Sequence, residues 1–321
     1  MPRDRMNEDL LPECIIDSHT HLPREPGRDP GTLLDELSRW GVKAAVILGI
    51  PSMKSVVESL DLDEIRMEYG RAEQVIRRYA SALSRYFTPE YLYYVSIELS
   101  RHYGLLCEHK PYTKHYRILA AVDLNMSRDG LYKRLEELYN KGFRGFKIIS
   151  TLFLKHLDHE NVDATLEFAE SKGLPVVIHA GCDPGIWELP GYCKYGDPSR
   201  LRPLLRRHRD AIVVIAHIGG YSAIAPGVFT SEAIELSRIH DNIYYDTSAV
   251  PSYIIRLAAE KLGPERLLYG SDYPVVTGLE IKHHLQMVAN ALKEAGYTRR
   301  DLEKVFAENA SKIFHFNICN S

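Results

Sequence analysis

Short apolar runs bounded by turn residues recur along the chain: ECIID at 13–17, VKAAVILGI at 42–50, RILAAVDL at 117–124, GFKIIS at 145–150, LPVVIHA at 174–180, AIVVIAH at 211–217, NIYYDTS at 242–248 and RLLYGSD at 266–272. Between them lie helix-period segments, among them GTLLDELSRWG (31–41), GLYKRLEELYNKG (130–142), NVDATLEFAESKG (161–173) and YIIRLAAEKLG (253–263). These four end in the glycine that a helix C-terminus favours. Near-continuous apolar strands alternating with amphipathic helices predict an α/β fold with a parallel sheet buried on both faces. Eight repeats predict closure into a (β/α)₈ TIM barrel. The alternative is an open doubly wound sheet, but no G-x-G-x-x-G or P-loop follows the first strand to cradle a phosphate. The chain, 1–321, reads as a single domain with one long insertion, at about 51–116 between the second and third strands. It is rich in tyrosine and reads as two helices split near Thr88-Pro89. Placed after a strand's C-terminal end, it is expected either to wall the pocket or to pack as an extra helical pair or a subunit contact in a homo-oligomer.

Composition narrows the partners. With 321 residues, 45% of them hydrophobic, the chain can bury a large core. Forty basic against 43 acidic residues leave a net charge of -3, too balanced to predict nucleic acid or an anionic membrane as partner, so a small-molecule substrate is expected. The five cysteines are odd in number and form no C-x-x-C pair, which argues against a disulfide framework or zinc ribbon and for a reducing, cytoplasmic location. The opening MPRDRMNEDLLPE lacks an apolar signal region, and no stretch holds the roughly 18 apolar residues of a membrane span.

The strand ends carry the candidate chemistry. In a barrel all strand C-termini meet on one rim, so residues distant in sequence become neighbours. The first strand ends in His19 and His21, the fourth carries Lys147, the fifth ends in His179, the sixth in His217 and the eighth in Asp272. Imidazole nitrogen with carboxylate oxygen is the ligand set of a divalent transition metal, usually zinc, with a position left open for water in catalytic sites. His19, His21, His179 and Asp272 would hold that ion. By strand alternation Asp17 shares a face with His19 and His21, where it would fix an imidazole tautomer or else cap the barrel floor.

The ordered set DSHTHL, GFRGFKI, VVIHAG, VVIAHIGG, YYDTSA, LLYGSDYP and FAENASKIF, spanning 13–316, resembles the amidohydrolase superfamily, and within it the amidohydrolase-related branch of metal-dependent hydrolases and decarboxylases. The resemblance implies a metal on His19, His21, His179 and Asp272, with His217 contacting the substrate or a second ion. It leaves Lys147 open: carboxylated between two ions in two-metal members, a plain lysine beside one ion in this branch. One divalent ion is expected, zinc first and manganese second. The family's His-Pro after this lysine is replaced by IISTLFL, and a Glu at this strand, as in the deoxyribonuclease-like relatives, is absent.

Two activities share these residues. In the hydrolysis of an amide, lactone or ester-like bond, Asp272 moves the proton of a metal-activated water and His217 polarises the carbonyl. In non-oxidative decarboxylation an acid protonates the carbanion. A barrel that has lost activity and serves as a scaffold is disfavoured, since every expected ligand is present. Cys182, three residues after His179, reads as a bystander, and RLRPLLRRHR (200–209) as a solvated helix face. Arg24, Arg28 and Lys194 stand in rim loops where a substrate carboxylate would bind.

Overall fold

The structure, a computed structural model, describes residues 10–22, 29–51, 106, 108–182, 190–222, 225–274 and 281–319. The predicted helical pair of the insertion, and Arg24 and Arg28, lie outside the described residues.

All eight predicted strands form. They are β1 (Ile15–Thr20), β2 (Val42–Leu48), β3 (Tyr116–Ala121), β4 (Phe146–Ile148), β5 (Pro175–Ile178), β6 (Ile212–Ile215), β7 (Ile243–Asp246) and β8 (Leu267–Leu268). They pair in parallel in the order β1 to β8. The segment after β8 returns to β1: Ser18 N donates to Tyr269 O (2.9 Å), Asp272 N to His19 O (2.8 Å) and His21 N to Tyr273 O (2.8 Å). The barrel closes there. The four helices read from sequence appear as Pro30–Ser38, Arg128–Asn140, Glu160–Lys172 and Ser252–Leu262. Asp29 and Ser127 cap the first two through side-chain oxygens, and Gly173 ends the third in the left-handed conformation.

Alternation sorts the strand residues into two layers. Ile47, Ile118, Phe146, Val176, Val213, Ile243 and Leu267 pack outward against helix residues such as Leu33, Leu131, Leu166 and Ile255. Ile16, Val46, Leu119, Val177, Val214, Tyr244 and Leu268 face inward, where Ala310, Ile313, Phe314 and Phe316 of the C-terminal segment join them. Each such buried aliphatic side chain is worth about 1.5–3 kcal/mol, so the barrel does not depend on its polar rim to fold.

The cysteine expectation is overturned. Cys14 is bonded to Cys319, with Cα atoms 5.8 Å apart, and Cys182 to Cys193, with Cα atoms 5.0 Å apart. The pairs were hidden because their partners lie 305 and 11 residues apart, and only barrel closure brings Cys319 beside the entry to β1. An odd count left one cysteine over and concealed two pairs. With these bonds, cysteine usage ceases to argue for a reducing compartment.

Beneath the rim, His284 of helix Ile281–Glu294 is buried, its Nδ1 3.4 Å from the Tyr269 hydroxyl. Burial lowers its pKa from 6.5 to about 4. Between these values the unfolded chain binds the proton and the folded chain does not. The contribution is therefore present above the unfolded pKa and lost as pH falls towards 4, about 3 kcal/mol in full. His284→Leu should flatten the decline of Tm between pH 7 and pH 4.5. An unchanged slope in calorimetry would remove His284 from the acid response.

Candidate metal and active site

β1 delivers the first two histidines through an irregularity. Asp17 pairs with Ala45 and Thr20 with Ile47, so three steps on β1 match two on β2. This bulge reverses the alternation. Asp17 falls on the same side as Thr20, while His19 and His21 project inward together. Asp17 therefore does not orient an imidazole: its Oδ1 accepts from the backbone N–H groups of His19 (3.2 Å) and Ser271 (3.0 Å), tying β1 to the turn after β8. Burial pushes its carboxyl up to about 7.

β8 is two residues long because the chain turns at once into the rim. Gly270 permits this, since a Cβ there would lie 2.8 Å from the Cβ of His19. Asp272 follows with φ 60°, and His217 and Ile218 after β6 have φ 59° and 51°. Non-glycine residues avoid this region, and clusters of them mark sites whose surroundings enforce the geometry. The enforcing bonds here are Asp272 N to His19 O and His217 N to Asp246 Oδ1 (2.9 Å).

The side chains converge. Asp272 Oδ1 lies 3.2 Å from His21 Nε2 and 3.4 Å from His19 Nε2. The opposite nitrogens are committed: His21 Nδ1 donates to Leu48 O (3.0 Å), and His19 Nδ1 to Asp246 Oδ2 (2.8 Å). In their neutral form, the form a metal requires, imidazoles so held turn lone pairs at Nε2 toward a carboxylate oxygen that has no hydrogen-bond partner among the described residues. Three acceptors facing one another call for a cation, and the donor set fits a divalent metal. The compact group with ligand spacing is His19, His217 and Asp272, whose ligand atoms lie within 4.8 Å of one another. His21 joins it through Asp272, and His179 through His217, His179 Nδ1 standing 3.1 Å from His217 Nε2.

Lys147 of β4 is buried and its Nζ has no hydrogen-bond partner among the described residues. Burial lowers its pKa to about 8, with Asp246 and Asp272 pulling the other way. Burial likewise pushes His19 and His217 well below the usual imidazole range, His179 to about 3, and raises the Asp272 carboxyl. Neutral histidines are the form a metal requires.

Asp246 and Ser248, inside the YYDTSA stretch, were not singled out from sequence. Asp246 also closes a strand on the active rim, the signal that identified the histidines. Tyr221 is a further neighbour, its ring centroid 4.7 Å from that of His217 and 5.1 Å from that of His179. Cys182 is tied to Cys193 and so offers no thiolate. Lys194 is exposed in the turn Pro190–Gly196. Of the 200–209 stretch, His208 is buried between Asp163 and Glu170, while Arg206 and Arg207 are solvated.

Solved structures share the architecture. The 5-carboxyvanillate decarboxylase LigW of Sphingomonas paucimobilis is 14% identical, with TM-score 0.58, covering 95% of this chain and 100% of its own. An amidohydrolase of Burkholderia multivorans with bound zinc is 14% identical, with TM-score 0.57, covering 95% and 100%. A probable 2-pyrone-4,6-dicarboxylic acid hydrolase of Acinetobacter baumannii, with citric acid bound, is 16% identical, with TM-score 0.53, covering 94% and 99%. At these identities the likeness concerns the fold. No curated protein sequence matches the chain. Residues 106–316, more than half the length and carrying Lys147, His179, His217 and Asp272, match the family described as Amidohydrolase, and the chain belongs to that family of enzymes.

Proposed function

We propose that this enzyme is a metal-dependent hydrolase that opens an amide, lactone or ester-like bond of a small molecule. The observation that carries the reading is the meeting of the Nε2 atoms of His19 and His21 at the Asp272 oxygen. His19, His21, His179 and Asp272 would hold one divalent ion, with zinc preferred over manganese for this nitrogen-rich set. Such an ion, when bound, brings the pKa of a coordinated water to about 7 and so supplies hydroxide at neutral pH.

The chain's own groups do the rest. Asp272, its carboxyl raised by burial, accepts the proton of the attacking water and passes it to the leaving group. Lys147, buried and with no hydrogen-bond partner for its Nζ among the described residues, would donate in its protonated form to the carbonyl oxygen as charge develops there. His217 adds a donor at that oxygen only in its protonated form, because its Nδ1 faces the Ser248 carbonyl, which can only accept, and its Nε2 is then an acceptor facing His179.

The decarboxylase reading keeps a specific observation in its favour. A buried lysine without a hydrogen-bond acceptor among the described residues is also a seat for a substrate carboxylate, and a proton taken up by Asp272 from the water would serve to protonate the carbanion. Small carboxylated molecules therefore head the substrate panel. As to setting, no helix among the described residues is long and apolar enough to cross a membrane.

Elemental analysis of purified protein should find about one divalent transition metal per chain, zinc when zinc is supplied. A chain without metal after growth with added zinc and manganese sinks the reading. Metal with only CO₂ released across lactones, N-acyl compounds and aromatic carboxylates replaces hydrolysis by decarboxylation.

A further inference from the structure

We infer that Asp246 and Ser248, at the end of β7, act as one anchor that imposes the Nδ1–H tautomer on both His19 and His217. They are positioning residues, acting through the two imidazoles they touch. The inference rests on the metal-site reading above.

Donor and acceptor arithmetic carries it. Asp246 Oδ1 accepts from His217 N (2.9 Å), Ser248 N (3.2 Å) and the Ser248 hydroxyl, while Oδ2 faces His19 Nδ1 at 2.8 Å. A carboxylate only accepts, so His19 must carry its proton on Nδ1. The Ser248 hydroxyl, its proton committed to Asp246, can only accept from the two imidazoles it touches. They are His19 Nδ1 at 3.1 Å and His217 Nδ1 at 2.9 Å. The Ser248 carbonyl, 3.2 Å from His217 Nδ1, repeats the demand. The order then propagates: His217 Nε2 accepts from His179 Nδ1, which leaves the lone pair of His179 on Nε2. Asp246 and Ser248 are fully buried, so no water competes for these bonds. Asp246 also holds the backbone of His217 in its left-handed conformation. One carboxylate thereby sets both the imidazole facing Asp272 and the backbone carrying the next.

Asp246→Asn is the diagnostic change. The amide oxygen stays with the three donors at the Oδ1 position, which places the NH₂ opposite His19 Nδ1. Donor meets donor, and His19 escapes by moving its proton to Nε2, the nitrogen aimed at Asp272. In metal-free protein labelled with ¹⁵N-histidine, long-range ¹H–¹⁵N NMR should show Nδ1–H for His19 and His217 in the parent, assigned by loss of signals in His19→Gln and His217→Gln. It should show Nε2–H for His19 in Asp246→Asn. Zinc affinity by chelator competition should fall about 10–100-fold in Asp246→Asn. In Ser248→Ala, which removes one acceptor and keeps Asp246, it should fall roughly three- to tenfold. An unchanged His19 tautomer in Asp246→Asn overturns the inference even if affinity drops, since a merely structural loss would do that. If Asp246→Asn does not fold, Ser248→Ala decides: parental zinc affinity there also overturns it. Failure of the parent to bind zinc at all would instead remove the metal reading, while the tautomers of the metal-free protein still test the anchor.

Discussion

Asp272→Asn is expected to lower turnover about 10²–10⁴-fold, the usual worth of a positioned general acid–base, while most of the metal stays bound. The amide keeps an oxygen at the position that faces His19 and His21 at 3.4 and 3.2 Å, so a weak ligand remains beside three imidazoles. What it loses is the ability to take and release a proton. The carboxylate stands on the rim beside the imidazoles that would hold the ion, within reach of the proton of a water bound there. The measurement is kcat on the substrate found by the panel, with metal content determined on the same sample. Near-normal turnover with metal bound would end the proton-shuttle role and with it the hydrolytic mechanism. Loss of metal together with activity would recast Asp272 as a ligand alone.

Removing the bond between the chain ends, as Cys14→Ser/Cys319→Ser, should cost about 2–5 kcal/mol. This is the range for a native disulfide, and long loops stand at its upper end because the cross-link restricts the unfolded chain. The separation of 305 residues makes this loop nearly the whole protein. At the usual unfolding entropy per residue for a chain of this size, Tm should fall by roughly 3–7 °C. The effect should belong to stability and leave metal affinity unchanged, because Cys14 precedes β1 and Cys319 follows the C-terminal helix, at the end of the barrel opposite the histidines. An equal Tm in the serine variant, measured under oxidising conditions, would show that the bond does not tie the ends in solution.

Much of this protein was readable from its residues alone. The eight strands needed only local information, since an apolar run too short for a helix and bounded by turn residues has few alternatives to a buried parallel strand. The same local signal placed His19, His21, His179, His217 and Asp272 at strand ends, and the barrel's geometry requires strand ends to meet. What tertiary structure decided depends on register and on contacts between distant segments. Alternation put Asp17 with the histidines, but one extra residue in β1 reversed the face, and a bulge is set by how β1 lies on β2 and on the turn after β8. The role expected of Asp17 went to Asp246, because only closure of β7 and β8 onto β1 brings that carboxylate within 2.8 Å of His19. Cys14 and Cys319 likewise become neighbours only when the last segment plugs the barrel. Local pattern determines which side chains reach the rim. Which of them carries the proton, which accepts it and whether Cys14 finds Cys319 is a matter of contacts between segments as much as 227 and 305 residues apart in sequence, and those contacts exist only in the closed barrel.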